Sequence, residues 1–240
     1  MRQLITLLII FLYLAPNANA QDDNGFGINH EFGVSAAVGG GFLASANWNH
    51  FYGIGKNKNF RIGYGLRFNS YTGKNRLYTS APLKLATDET LVDTLTVGSA
   101  RMSNVAATFN AKMRFAQKVE IGVNIDVLGI GFGKETEGEF VSSENDEFNG
   151  TQTAKPTSVS LLLGGDNDRG MLSSEIYVGY WITEKLNARL GLNYLFTEYT
   201  TSEKLAQDNA RFRNKVAMPF IAIGFSPCLL YTSPSPRDIG

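Results

Sequence analysis

The chain has 240 residues, of which 43% are hydrophobic and 12% aromatic, and its 22 basic and 22 acidic residues leave a formal net charge of zero. That is ample apolar material for one domain with a sizeable core. The charge balance excludes the basic surplus on which nucleic-acid binding depends.

The first segment reads as an export signal. Met1-Arg2-Gln3 is a short positive start, Leu4 to Leu14 is an apolar run, and Ala18-Asn19-Ala20 is a small-x-small cleavage site. This is the pattern of a secretory signal peptide over 1–20, with a run too short to span a bilayer as a helix. The mature chain is expected to begin at Gln21 and to form one domain over 21–227. No later segment is long and apolar enough for a transmembrane helix.

The body of the chain alternates in polarity, and eight strands are predicted from that period of two. The first runs from about Glu31 to Val38, with Phe32, Val34, Ala36 and Val38 on one side. The second, from about Phe42 to Ile54, sets Phe42, Ala44, Ala46, Trp48, Tyr52 and Ile54 against Ser45, Asn47 and Asn49. The third is the most regular. From Phe60 to Tyr71, Phe60, Ile62, Tyr64, Leu66 and Phe68 oppose Arg61, Gly63, Gly65, Arg67 and Asn69. The fourth, Asn104 to Phe115, sets Val105, Ala107, Phe109, Ala111 and Met113 against Thr108, Asn110, Lys112 and Arg114. The fifth, Val119 to Phe132, sets Ile121, Val123, Ile125 and Val127 against Glu120, Gly122, Asn124 and Asp126. The sixth, Ser173 to Ile182, sets Ile176, Val178, Tyr180 and Ile182 against Glu175, Tyr177, Gly179 and Trp181. The seventh, Leu186 to Tyr199, sets Ala188, Leu190, Leu192, Tyr194 and Phe196 against Asn187, Arg189, Gly191, Asn193 and Thr197. The eighth, Val216 to Phe225, is the least regular, and Pro219 suggests an end or a bulge.

Tight turns are expected at Gly55–Asn59, Ala116–Lys118 and Thr183–Lys185, and long polar loops at 72–103, 133–172 and 200–215. Alternation of short and long connections is the habit of an up-and-down outer-membrane barrel. The short connection near Gly39–Gly41 is the exception. The tail breaks with everything before it. Cys228 to Asp238 holds the only cysteine and reads as Cys-Leu-Leu-Tyr-Thr-Ser-Pro-Ser-Pro-Arg-Asp. It resembles a translated sequencing adapter, so 228–240 is set aside as non-native read-through.

A water-soluble barrel also alternates, so the direction of the two faces has to be argued. Glycine shares the ionic face, at Gly33, Gly63, Gly65, Gly122, Gly179 and Gly191, where it weakens a solvated strand but makes room inside a narrow barrel. The ionic face is nearly balanced: Arg61, Arg67, Lys112, Arg114 and Arg189 against Glu31, Glu120, Asp126 and Glu175. Enclosed charges persist only when paired. Strands of roughly ten residues suit a tilted bilayer crossing, and aromatics gather near strand ends, at Trp48, Tyr52, Phe60, Phe115, Tyr194 and Phe196. The expectation is therefore that Ile62, Tyr64, Leu66, Phe109, Ile121, Val123, Ile125, Val178, Leu190 and Leu192 face lipid. The nine charges form a network in the lumen of an all-β, eight-stranded antiparallel transmembrane barrel, a lumen just wide enough for side chains to fill.

No catalytic or metal motif stands out. His30 and His50 lack partners at ligand spacing, no G-x-S-x-G elbow appears, and Asp166–Gly170 lacks the distal glutamate of a calcium loop. The acidic stretch from Glu135 to Glu147 reads as solvated. No cofactor is expected.

With this pattern the chain resembles the small outer-membrane β-barrel family, of the OmpA-transmembrane-domain and OmpX type, and looks closest to the porin-family barrels of Bacteroidetes-type bacteria. The resemblance implies outer-membrane residence, a lipid environment, and insertion by the barrel-assembly machinery, with Phe225 in the position of its terminal aromatic signal. Function is expected to be non-enzymatic, structural or in surface contact through a ligand the sequence does not name. A narrow porin, a lipid-modifying barrel and a secretion accessory stand as alternatives.

Overall fold

In a computed structural model, residues 28–227 are described, apart from 56, 81–91, 116–117, 144–146 and 148. The expected leader and the adapter-like tail lie outside the described residues.

The described strands are β1 (Ile28–Val38), β2 (Phe42–Ile54), β3 (Phe60–Ser80), β4 (Thr94–Phe115), β5 (Val119–Phe132), β6 (Thr136–Val141), β7 (Gly150–Pro156), β8 (Val159–Leu161), β9 (Leu172–Trp181), β10 (Leu186–Thr201) and β11 (Arg211–Phe225). Eight of them close a ring in the order β1-β2-β3-β4-β5-β9-β10-β11, all antiparallel. The seam is sealed by Phe32–Ala37 of β1 against Phe225–Phe220 of β11. Both ends of the described chain and the connections β2–β3, β4–β5 and β9–β10 lie at one rim, the turn end. The longer excursions lie at the other, the loop end.

Around the ring the apolar residues point outward. Val34, Tyr64, Leu66, Phe109, Val178, Leu190, Leu192 and Ile221 are all exposed, and Ile62, Ile121, Val123 and Ile125 are partly so. The opposite parity points inward and is buried although it is polar: Glu31, Asn49, Arg67, Lys112, Glu120, Asp126 and Arg189 among others. A water-soluble barrel has the reverse arrangement. An outer wall that is apolar all round and an interior holding the charges are what a surrounding hydrocarbon phase requires, because lipid cannot solvate backbone or charge. This is an eight-stranded transmembrane β-barrel.

All three expected long loops contain strand, the third because 200–201 belong to β10 and 211–215 to β11. Residues 72–80 and 94–103 are not polar loop but continue β3 and β4, and 133–172 contains β6, β7 and β8. These extensions build a second closed ring above the first. β3 pairs β4 as far as Thr79 and Thr94. β4 pairs β6, β6 pairs β7, and β7 pairs β10. β10 pairs β11 up to Arg211, and β11 returns to β3 through Phe212–Ser80 and Arg213–Thr79. Six strands therefore carry on where eight began. In this upper ring the faces are exchanged. Thr72, Lys74, Ser99, Arg101, Glu137, Glu139, Thr151 and Lys155 are exposed on the outside. Tyr71, Tyr78, Leu95, Val97, Met102, Phe140, Ala154, Tyr199 and Phe212 form one buried apolar cluster within.

The expectation of a break at Pro219 is also corrected. Pro219 lies inside β11, opposite Leu192 of β10. Its ring Cδ lies against Gly39, at the tip where β1 has already run out. The paired rungs between β1 and β11 end at Ala37–Phe220, so Pro219 sits at the margin of that ladder, where a missing N–H costs little.

The upper core depends on few large side chains. Phe140 is fully buried and meets Phe212 edge to face, with ring centroids 5.8 Å apart. Phe140→Ala is expected to destabilise the upper ring by about 3–5 kcal/mol. The change should appear as a lower denaturant midpoint for protease resistance at 136–156, with the membrane-embedded strands still protected. An unchanged midpoint would mean that this ring is not a packed unit.

Candidate functional site

The inward faces of β1, β3, β4, β5, β9 and β10 bring eight of the nine sequence-identified charges into ion pairs, at two levels of the lumen. The upper level is centred on Arg67. Its Nη2 lies 2.6 Å from Asp126 Oδ1, its Nη1 2.9 Å from Glu175 Oε2, and it donates to the Ser173 carbonyl at 2.6 Å. Asp126 also accepts from the Ser173 backbone N–H at 2.9 Å and from Asn69 at 3.1 Å. Glu175 accepts from Asn124 at 2.8 Å. One cation thus serves two carboxylates, and amides occupy the carboxylate lone pairs that remain.

The lower level is centred on Glu31 and Glu120. Glu31 receives Lys112 at 2.6 Å, Arg189 at 3.3 Å and Asn187 at 3.3 Å. Glu120 lies 3.5 Å from Lys112 and 4.0 Å from Arg114, and accepts from the Trp181 indole at 2.8 Å. Aromatic faces complete the surroundings: Lys112 Nζ stands 4.4 Å from the Phe51 ring centre, and the Arg114 guanidinium 4.4 Å from that of Trp181. Such contacts compensate a desolvated cation.

Arg61 is the exception to the expected network. It points inward at the turn end, but no carboxylate of the described residues lies within 4.0 Å of it, and its Nε donates instead to the Lys58 carbonyl at 3.3 Å. Its rung-mate on β4 is Lys112, already held by the glutamates, so Arg61 is left half-buried at the turn-end mouth without an acid.

The glycines of the ionic face lie against the largest inward groups. The Cα of Gly122 is covered by the Tyr177 phenol, and Gly33 and Gly179 abut Arg189. A side chain at any of them would enter space these groups occupy. The sequence reading missed a second component, a set of buried asparagines: Asn49, Asn69, Asn104, Asn110, Asn124, Asn187 and Asn193. Their parity was visible, but asparagine on a polar face reads as solvated until the lumen is known to be filled.

His30 and His50 face each other across β1 and β2 on the outer wall, with 3.4 Å between their Nδ1 atoms, in a patch with Trp48, Tyr52 and Tyr64. Phe196, expected in the outer aromatic belt, is on that face but buried, beneath the Arg213 guanidinium. Asp166–Gly170 forms a turn in which Asp168 Oδ1 accepts from the backbone of Leu163 and Gly164.

No family model and no curated protein matches the chain. Among solved structures it is similar to Neisserial surface protein A, at 9% identity and a TM-score of 0.37, over 82% of this chain and 94% of that one. It is similar also to Ail, the attachment invasion locus protein of Yersinia pestis, solved with the heparin analogue sucrose octasulfate, at 11% identity, a TM-score of 0.32, and coverage of 83% and 96%. A third is a major outer membrane protein from Thermus thermophilus, at 10% identity, a TM-score of 0.37, and coverage of 84% and 100%.

The two levels differ in what a deletion would leave behind. Arg67→Met strands two buried carboxylates, and removal of one partner from a buried pair costs about 3–5 kcal/mol. Arg114→Met removes a partly exposed cation 4.0 Å from its acid, a type of pair worth less than about 1 kcal/mol. Urea unfolding of refolded protein in lipid vesicles should show this ranking, and equal effects would contradict it.

Proposed function

We propose that the chain is an integral bacterial outer-membrane β-barrel protein without enzymatic activity, closed to solutes, acting in envelope structure or surface contact. The observation that carries this is the filled interior. In the eight-stranded part the lumen holds buried, cross-linked charges and amides, and above it the six-stranded part holds an apolar core. A solute would have to pass both in series. An eight-stranded wall leaves room for side chains and little else.

The narrow-porin alternative needs an open path, and the ionic level offers one only if the Arg67 and Lys112 pairs part. The lipid-modifying alternative needs a histidine with an acid or serine at the loop-end rim. His50 lies instead toward the turn end, on the outer wall, among aromatic rings. Outward placement of Phe225 on the last strand suits the aromatic terminal signal of the assembly machinery, and the stiff upper ring suits presentation of a surface beyond the bilayer.

Two measurements test the reading together. The refolded protein is expected to migrate differently on a denaturing gel before and after boiling, as a lipid-embedded barrel does, and to give no steady channels in planar bilayers. Steady conductance that changes on Arg67→Met or Arg61→Met would replace it with the porin. Recovery of the folded chain from a detergent-free soluble fraction would remove the membrane assignment altogether.

A further inference from the structure

Resting on the membrane reading above, we propose that the cleft at the tip of the β1–β2 hairpin binds the phosphate of an anionic amphiphile lying in the leaflet at the loop end. The hairpin stops short at Gly39–Gly41, so β3 and β11 meet only higher up, at Ser80 and Phe212. The gap leaves an open cleft of about 580 Å³ on the outer wall, bounded by Gly40 and Gly41 below and by Thr72, Lys74, Arg76 and Arg101 beside it.

Three observations point to the ligand. The first is charge. Thr72 is rung-mate to Arg101, and Lys74 to Ser99, so Lys74 and Arg101 stand exposed on adjacent strands facing one space. Arg76 leaves β3 on the inward side, and its guanidinium reaches the cleft through the gap at the hairpin tip, against Gly40, donating from Nη2 to Asn214 at 3.2 Å, with its Nε buried and unpartnered. Among the described residues no carboxylate lies within 4.0 Å of any of the three. In the lumen, by contrast, all cations but Arg61 have an acid. Converging cations with no acid form a site for an oxyanion with several acceptor atoms.

The second is construction. Gly40 and Gly41 have φ of +64° and +149°, and Tyr71 Oη donates to the Gly40 carbonyl at 2.7 Å, holding the tip in place. A side chain at Gly40 would press on Val216 and the Arg76 guanidinium, and one at Gly41 on Tyr71. Only glycine fits both positions without strain, and the Tyr71 hydrogen bond fixes the tip they form.

The third is position. Directly below, Phe42 is rung-mate to Thr72, and Phe42, Val38, Phe68 and Val105 are exposed on the apolar wall. The cations thus meet the wall where its outward face changes from apolar to polar. A free anion uses only the upper half of this surface. An amphiphile uses both, its phosphate among Lys74, Arg76 and Arg101 and its chains along Phe42 and Phe68.

The test titrates the full-length protein in neutral detergent with phosphatidic acid, with diacylglycerol of the same chains, and with inorganic phosphate, counting retained adducts by native mass spectrometry. Phosphatidic acid is expected to be retained about ten-fold better than diacylglycerol. That preference should fall about ten-fold in Lys74→Gln/Arg101→Gln, whose exposed positions leave the boiled and unboiled gel mobilities unchanged. Equal retention of the two lipids, or an unaltered preference in the variant, would overturn the proposal. So would full displacement by an equal concentration of inorganic phosphate, which would assign the cleft to a free anion. Loss of the heat-dependent mobility in the parent protein would instead remove the membrane reading, and this proposal with it.

Discussion

A strand that passes from hydrocarbon into water must exchange its two faces. In lipid the outside can only be apolar, and whatever polarity the sequence carries is forced inward, where it must be paired. Beyond the lipid the outside is wetted, and the inside has to supply the core. β3 performs this exchange within one continuous element. Up to Phe68 its apolar residues are exposed and its arginines inward, whereas from Tyr71 the aromatics are buried and Thr72 and Lys74 face out. β4 does the same in reverse order, from Leu95 and Val97 buried above to Lys112 buried below. The two strands also change parity together. Gly73 and Arg76 point inward on one, and Val97 and Ala100 on the other, with Asn75 at φ 48° standing between the paired rungs 74–99 and 76–97.

Reduction from eight strands to six follows from the same requirement. Charged groups need cross-lumen distance, since each carboxylate has to collect cations or amides from several strands. An apolar core needs the opposite, a section small enough that side chains from facing strands touch. The β1–β2 hairpin ends at Gly39–Gly41, and β5 and β9 give way to the narrower β6–β7 hairpin. The ring closes over Tyr78, Tyr199, Phe140 and Phe212. The β5 bulge at Val127, where the register against β4 shifts between Ala107 and Thr108, helps turn that strand away from the ring it leaves.

The lower barrel was legible in the sequence because lipid on one side and charge on the other make the alternation extreme. Arg61 to Asn69 could hardly be read as anything else. The upper ring was not, because water outside and aromatics inside produce a weaker contrast. In Thr94-Leu-Thr-Val97 the alternation is present but brief, and threonine is as common in loops as in strands. Tyr71 and Tyr78 are separated by a change of parity that breaks any fixed period. Pro219 misled for a different reason. Whether a proline harms a strand depends on whether the neighbour on its nitrogen side still exists, and that is set by the length of β1. The alternation marks which charges share a face, yet it does not say which acid takes which base. Glu31 reaches Lys112 and Arg189 across the ring and not along its own hairpin.

That cross-lumen pairing also bears on how the chain selects one register. Side chains alternate with a period of two, so a slip of one residue in any barrel strand would turn its ionic set to lipid and its aromatic set to the lumen. On β3 this would expose Arg67 to hydrocarbon and place Phe68 against Asp126. The penalty would fall on β5 and β9 too, because Asp126 and Glu175 both depend on Arg67. A slip of two residues preserves parity, and hydrophobic burial alone opposes it weakly. The ion pairs oppose it strongly, since a shift of two rungs moves Arg67 roughly 6–7 Å along the barrel, beyond reach of its partners. Buried charge adds little net stability over a well-packed apolar interior. Its contribution here is to discriminate among registers that the lipid-facing wall would accept equally.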